Sequence, residues 1–157
     1  MPGGIRRLDG LEGARISRNA FGAVKVVDGP PIGRYRALFG EAFTDAPPGP
    51  RDLRVPRKER EAMAQVIAEE GWGGLLAEPA LERLRDWFAR EFSYSLRLEP
   101  PVGGASPLAH FLLSGRSGHC EYFASTAVLL LRALGVPTRY AVGWSVHEYS
   151  DLEQAYV

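Results

Sequence analysis

The chain contains a single cysteine, Cys120, which follows a glycine-containing loop and stands at the predicted start of a helix. The unpaired N–H groups at the start of a helix, together with the positive end of its dipole, stabilise negative charge. A thiolate held there is a nucleophile, and the same N–H groups can bind the oxyanion that forms when it attacks a carbonyl. A lone cysteine is also commonly a small buried hydrophobic residue. Position alone therefore leaves both interpretations of Cys120 open.

The three histidines are the candidate bases for such a cysteine. His147 precedes Glu148, but neighbouring residues on a strand point to opposite faces, so Glu148 is not expected to orient it. His119 is predicted to be a loop or cap residue, and His110 is expected to be partly buried or solvated. No cysteine–histidine spacing matches a zinc site, and the sequence predicts neither a metal nor a cofactor.

Hydrophobic periodicity predicts the elements that must hold Cys120. Residues 119–134 are apolar on nearly every side, which predicts a helix buried in the middle of a domain. Only a narrow polar strip is expected to face solvent on that helix, made of Glu121, Ser125 and Arg132. Helices are also predicted at 57–70 and 79–92, and a short one begins at the Ser106-Pro107 cap. On the helix over 79–92 the apolar face is predicted to hold Leu81, Leu84, Phe88 and Phe92, with Trp87 beside them.

Strands are predicted on both sides of these helices. Alternation over 139–147 predicts a strand that buries Tyr140, Val142 and Trp144 on one face, and a second strand is expected from about Glu153. Shorter strands are expected at 24–27, 34–44 and 94–98. Because helices come before the main strands in the central part, the fold class is predicted to be α+β with an antiparallel sheet.

Composition excludes several classes of function. The 157 residues carry a formal net charge of +0, so the overall charge does not indicate a nucleic acid or an anionic membrane as partner. The longest apolar run, 127–131, is far shorter than the ~18 residues of a membrane helix. No membrane segment or signal peptide is therefore predicted, and a single cysteine excludes an internal disulfide.

Three linked sequence blocks carry a family resemblance. They are G-H-C-E-Y-F-A-S at 118–125, L-R-A-L-G-V-P-T-R-Y at 131–140 and G-W at 143–144. Together they resemble the core of the transglutaminase-like superfamily, which has a papain-like fold, and the resemblance covers about residues 53–157. It implies that Cys120 is the nucleophile of an acyl transfer from a glutamine-type amide of a protein or peptide substrate to an amine. It also favours an ion pair for Arg139.

The same resemblance sets expectations about the rest of the protein. Residues 1–52 are expected to be a leader or the remnant of a preceding region, and 53–157 the N-terminal portion of the transglutaminase-like domain. The family's histidine and acidic residue are expected beyond Val157, so these 157 residues alone are expected to be inactive. A cysteine peptidase or amidase, and a binding domain without chemistry, remain alternatives. Family members of this type are often extracytoplasmic domains tethered to membranes.

Overall fold

The computed structural model describes residues 5–19, 23–29, 35–40, 47–101, 103–142, 149–152 and 155–156. In chain order the elements are β1 (Ile5–Asp9), β2 (Arg15–Arg18), β3 (Val24–Asp28), β4 (Arg36–Phe39), α1 (Arg60–Glu69), α2 (Ala77–Glu91), β5 (Ser93–Tyr94), α3 (Pro107–His110), β6 (Ser117–Gly118), α4 (Cys120–Ala133), β7 (Tyr149–Ser150) and β8 (Ala155–Tyr156). Two 3₁₀ turns, Pro50–Leu53 and Arg57–Glu59, precede α1, and a π-helical turn, Phe111–Gly115, follows α3. Helices and antiparallel strand pairs together confirm the α+β class.

The chain divides into two compact units. One comprises residues 1–47 and 141–157, in which β1 pairs with β4, β2 with β3 and β7 with β8, all antiparallel. The predicted strand at 24–27 is confirmed as β3. The strand predicted at 34–44 is confirmed only over Arg36–Phe39, which form β4, and residues 34 and 41–44 lie outside the described ranges. The other unit comprises residues 48–140 and contains helices α1 to α4. The domain boundary expected between 52 and 53 stays a prediction.

The strand predicted over 139–147 is wrong for its described residues. Residues 139–142 have no strand structure. Tyr140 is 44% exposed and Val142 is 86% exposed, so neither side chain is buried as the alternation predicted. Residues 143–148, which include Trp144 and His147, lie outside the described residues.

The unit of residues 48–140 is built around one apolar core. Its buried side chains come from α1, α2, α4 and the segments beside them: Met63, Val66, Trp72, Ala80, Leu84, Trp87, Phe111, Leu112, Leu129, Leu130 and Leu131. The predicted helices at 57–70, 79–92 and 119–134 are therefore confirmed. α4 is less buried than predicted, since only Thr126, Leu129, Leu130 and Leu131 of its 14 residues are buried and most of the others are half-buried.

The buried face of α2 differs from the prediction. Leu84 is buried, but Leu81 is 52% exposed. Phe88 and Phe92 are partly buried against the core, as predicted, and the core also contains Trp87. Ala80, which was not predicted, and Trp87 lie four residues before and three residues after Leu84 on the same face. Trp87 is the largest apolar side chain of the helix. Burying it sets the rotation of α2 about its axis so that Leu81 faces away from the core.

Arg132 ties the end of α4 to two other segments and is not the solvated residue that the sequence predicted. Its Nε and Nη2 atoms donate to the carbonyl oxygen of Thr138 at 2.9 and 2.7 Å, and Nη1 donates to the carbonyl oxygen of Arg54 at 3.0 Å. The N–H of Thr138 donates in turn to the carbonyl oxygen of Asp52 at 2.9 Å. These bonds fix segments 52–54 and 136–139 beside α4.

Candidate active site

Cys120 is the first residue of α4, as predicted, and its side chain is exposed. His119 is the N-cap, in extended conformation, with its carbonyl accepting from the N–H of Tyr122 at 2.9 Å. The N–H of Glu121 donates to Nδ1 of His119 at 3.4 Å, a long bond. Within the described part of the chain, neither the Sγ atom nor the N–H of Cys120 has a hydrogen-bond partner. An exposed thiol therefore lies beside an unused donor at the positive end of a helix of 14 residues.

A parallel pair of short strands positions the loop before Cys120. The N–H of Ser93 donates to the carbonyl of Arg116, and the N–H of Ser95 to the carbonyl of Gly118, both at 2.9 Å. β5 thus lies beside β6 in parallel register. The strand predicted at 94–98 is wrong beyond Tyr94, because residues 95–98 have no strand structure. This pairing fixes the backbone two residues ahead of the thiol against the end of α2.

Arg116 packs this loop against α2 and the residue that follows it, a role that the sequence did not predict. Its backbone φ of 49° is left-handed, the only positive φ of a non-glycine residue within the described ranges. Its guanidinium lies 4.8 Å from the ring centroids of both Trp87 and Phe92, a distance at which cation–π attraction operates. Its Nη1 atom is buried without a hydrogen-bond partner among the described residues. Cation–π attraction to these two rings therefore partly compensates for the loss of hydration at the guanidinium of Arg116.

Aromatic side chains pack against the first turn of α4. Phe111 lies 5.5 Å from Tyr122 and 5.1 Å from Phe123, measured between ring centroids. Phe88 of α2 lies 5.2 Å from Phe123 in an edge-to-face arrangement, which is favourable for aromatic rings. These rings connect α2 and the turn after α3 to the residues that immediately follow Cys120.

Gly118 packs so closely that even a methyl group in its place would require its neighbours to shift. A Cβ atom there would lie 3.0 Å from Cε2 of Phe111 and 3.1 Å from Cβ of Tyr122. Phe111 is 1% exposed and the Tyr122 Cβ belongs to the helix, so neither can move away easily. We expect Gly118→Ala to lower the free energy of unfolding by about 1–3 kcal/mol, measured by urea denaturation.

Gly73→Ala is the matched control for that substitution. Gly73 lacks the positive φ that strains other residues, and a Cβ there meets nothing within 4 Å. We expect its change in the free energy of unfolding to stay within about 0.5 kcal/mol. Equal costs at the two glycines would mean that close packing at Gly118 is not what the loop requires.

Arg139 makes the structural ion pair that the sequence favoured, and its partner is Asp52. Nε of Arg139 donates to Oδ1 at 3.1 Å, and Nη2 donates to Oδ2 at 3.0 Å. The N–H of Gly49 adds a third bond to Oδ2 at 3.0 Å. The hydrogen bond from Arg139, then that from Gly49, lowers the pKa of Asp52 from its ordinary value. Both residues are engaged with each other, so neither is a substrate ligand on this geometry.

The Asp52 pair predicts a pH dependence of stability. Because the pKa of Asp52 is lower in the folded protein, its interactions stabilise the fold fully above the unfolded pKa of about 3.9 and are lost as pH falls through the folded pKa. We expect Asp52→Asn to unfold at a lower urea midpoint than the parent at pH 7. This gap between the two urea midpoints should narrow below about pH 4. Asp86→Asn, at an exposed pair with Arg85, is the control and should show a much smaller gap at pH 7. A gap for Asp52→Asn that is unchanged at pH 3 would contradict the assignment.

The described histidines do not contact the thiol. His119 is the predicted cap residue, with its Nδ1 occupied by the N–H of Glu121. His110, at the end of α3, is partly buried, and its Nε2 atom has no hydrogen-bond partner among the described residues. His147 lies outside them. No cluster of three metal-ligating side chains occurs in the described ranges, and no helix there is long and apolar enough to cross a membrane.

Comparison with known proteins establishes the family. The model of the transglutaminase-like superfamily matches residues 56–156, and the chain therefore belongs to that superfamily. A curated relative, the protein-glutamine gamma-glutamyltransferase of Pseudomonas aeruginosa, is 40% identical over 95 residues. That match covers 60% of this chain, which spans only 12% of the relative. No solved structure matches the chain.

Proposed function

We propose that this chain carries the nucleophile of a cysteine acyltransferase that moves the acyl group of a glutamine side chain to an amine. The observation that carries the proposal is the exposed thiol of Cys120 beside its own unused N–H at the start of α4, in a chain of the transglutaminase-like superfamily. The name of the Pseudomonas relative supports a protein-bound glutamine as the donor. A protein or peptide is thus the substrate class.

The proposed reaction has two steps that share one oxyanion donor. The Cys120 thiolate attacks the carboxamide carbon, and the N–H of Cys120 donates to the oxygen as it becomes negative. The carbon–nitrogen bond then breaks, ammonia leaves with the proton it gains, and a thioester remains. An amine attacks the thioester and gives one proton to the general base, the carbon–sulfur bond breaks, and the thiolate is regenerated as the amide forms.

A general base must remove the thiol proton and return a proton to ammonia. No histidine of the described residues lies within hydrogen-bonding distance of Sγ, so the base is assigned to none of them. The family resemblance implies a histidine oriented by an acid for this task. Water in place of the amine would make the same site an amidase or peptidase, and loss of the base would leave a binding domain.

The proposal is tested by trapping the thioester in the natural protein that contains this sequence. The protein is mixed with a glutamine-containing donor peptide, quenched in acid and digested, and the fragments are analysed by mass spectrometry. We expect the fragment with Cys120 to gain the mass of the donor less ammonia, and to lose it again with hydroxylamine. An adduct on another residue, or turnover with no adduct in a rapid quench, would contradict the proposal.

The identity of the acceptor follows from the same reaction mixture. With a fluorescent primary amine present, a transferase yields fluorescent donor, whereas an amidase yields donor in which glutamine has become glutamate. Ammonia release without labelled donor would replace the transferase by the hydrolytic alternative. Absence of both products and of the adduct would favour the binding domain.

A further inference from the structure

A groove of about 680 Å³ lies at the C-terminal end of α4, beside Ala133. Ala133 and Cys120 are the last and first residues of this helix, so about 20 Å separates the groove from the thiol along the helix axis. The volume falls within the range of sites that bind ligands or anchor side chains. This groove is therefore a surface distinct from the candidate active site.

One face of α1 forms much of the groove. Ala64, Ile67 and Ala68 line it at helical spacing, and the opposite face of α1 is buried in the core. Leu53 and Val55 add apolar surface from the segment before the helix, and Leu53 is 41% exposed. The small residues leave the groove floor recessed, so an occupant must insert apolar side chains into it to cover this surface.

Two cations, Arg54 and Arg60, line the groove, and the segment that contains them has three more, of which Lys58 pairs with Glu59 at 3.8 Å. Five basic residues occur between positions 51 and 60: Arg51, Arg54, Arg57, Lys58 and Arg60. The two carboxylates of the same segment are both buried and engaged, since Asp52 binds Arg139 and Glu59 accepts from the hydroxyl of Ser106. The segment therefore presents an excess of positive charge to solvent.

The arginines of the groove are available to a partner. Both Arg54 and Arg60 line it, and in the described part of the chain neither guanidinium has a carboxylate partner. Nε of Arg60 donates to the carbonyl oxygen of Val55 at 3.2 Å, which leaves its Nη donors for an incoming group. A pre-positioned guanidinium loses less conformational freedom when it binds a carboxylate.

We propose that this groove docks an acidic amphipathic segment of another protein. Its apolar side chains fill the recess over Ala64 and Ala68, and its aspartates and glutamates pair with Arg54 and Arg60. A bilayer is a poorer fit because a flat surface leaves a recessed floor uncovered. A nucleic acid is a poorer fit because its phosphates gain nothing from an apolar lining.

The test pans a displayed library of random peptides, about 15 residues or four helical turns long, against the 157-residue chain. Enriched peptides should carry apolar residues at helical spacing flanked by Asp or Glu. One enriched peptide is synthesised, and its affinity is measured by fluorescence anisotropy. The affinity should fall at least about tenfold in Arg54→Glu/Arg60→Glu. It should weaken similarly in Ala68→Trp, which fills the groove and keeps the charge.

Matched controls separate docking from general charge attraction and from misfolding. Arg83→Glu/Arg97→Glu makes the same change in net charge at exposed positions that do not line the groove, and should leave binding unchanged. Each variant is first shown to unfold at the parent's urea midpoint, and Ala68→Leu, which also narrows the groove, replaces Ala68→Trp if that variant does not fold. Enriched peptides without acidic residues would overturn the proposal. So would an equal loss of peptide affinity in the Arg54/Arg60 and Arg83/Arg97 double variants. Groove-dependent binding only of phosphatidylglycerol vesicles or of single-stranded DNA would also overturn it.

Discussion

Cys120→Ala should abolish amine incorporation by the natural protein that contains this sequence, by a factor on the order of 10⁴ or more. The covalent step needs the sulfur, and the residual N–H of residue 120 can stabilise an oxyanion only if something else attacks. The measurement is the initial rate of fluorescent amine transfer to a glutamine donor. Because the Cys120 side chain is exposed, the substitution should change the free energy of unfolding by no more than about 0.5 kcal/mol.

Two comparisons make the loss of rate interpretable. Glu82→Gln, an exposed change on α2, should retain the parent rate, which shows that the assay tolerates mutation and purification. Unfolding curves that coincide for Cys120→Ala and the parent show that the fold survives. Amine transfer at the parent rate by Cys120→Ala would remove the cysteine from the mechanism and leave the helix terminus without its proposed role.

Leu84→Ala should lower the free energy of unfolding by about 2–5 kcal/mol, because it leaves a cavity in the core of the unit of residues 48–140. Leu84 is 4% exposed and packs among the buried residues of α1, α2 and α4. The same deletion at Leu81, three residues earlier on α2 and 52% exposed, should cost well under about 1 kcal/mol. Urea denaturation followed by far-ultraviolet circular dichroism measures both.

This pair of leucines tests the rotational setting of α2. The two substitutions are chemically identical and lie on the same helix, so helix propensity cancels between them. Equal costs would mean that the buried face includes Leu81, as the sequence pattern predicted. A larger cost at Leu81 would mean that the buried face of α2 is centred nearer Leu81 and would contradict the packing of Trp87.

The sequence predicted the elements whose signals are local. The apolar run and the stop at Gly135 define α4, and the hydroxyl of Ser106 accepts from the N–H of Ala109 at 3.0 Å as its position predicted. The position of Cys120 at the first residue of α4 follows from the same local pattern. The family resemblance, rather than the pattern, favoured chemistry over a buried structural cysteine.

The features that sequence could not predict depend on partners distant in the chain. The pairing of β5 with β6 joins two residues on each side, too few for any alternation to show. Arg132 binds the carbonyl oxygen of Arg54, 78 residues away, and a carbonyl has no signature in sequence. The phase of α2 was misassigned because periodicity gives the spacing of a face, whereas the largest side chain, Trp87, decides which of two neighbouring faces is buried.

The strand pairing beside the thiol affects how this site tolerates change over evolution. Both bonds that fix residues 116 and 118 come from the main-chain N–H groups of Ser93 and Ser95. Most substitutions at those two serines would keep the donors, while proline would remove them. The side chain at 93 can therefore change while Cys120 stays in register, whereas the hydroxyl of Ser95 also bonds the backbone N–H and carbonyl of Arg97 and is less free to change.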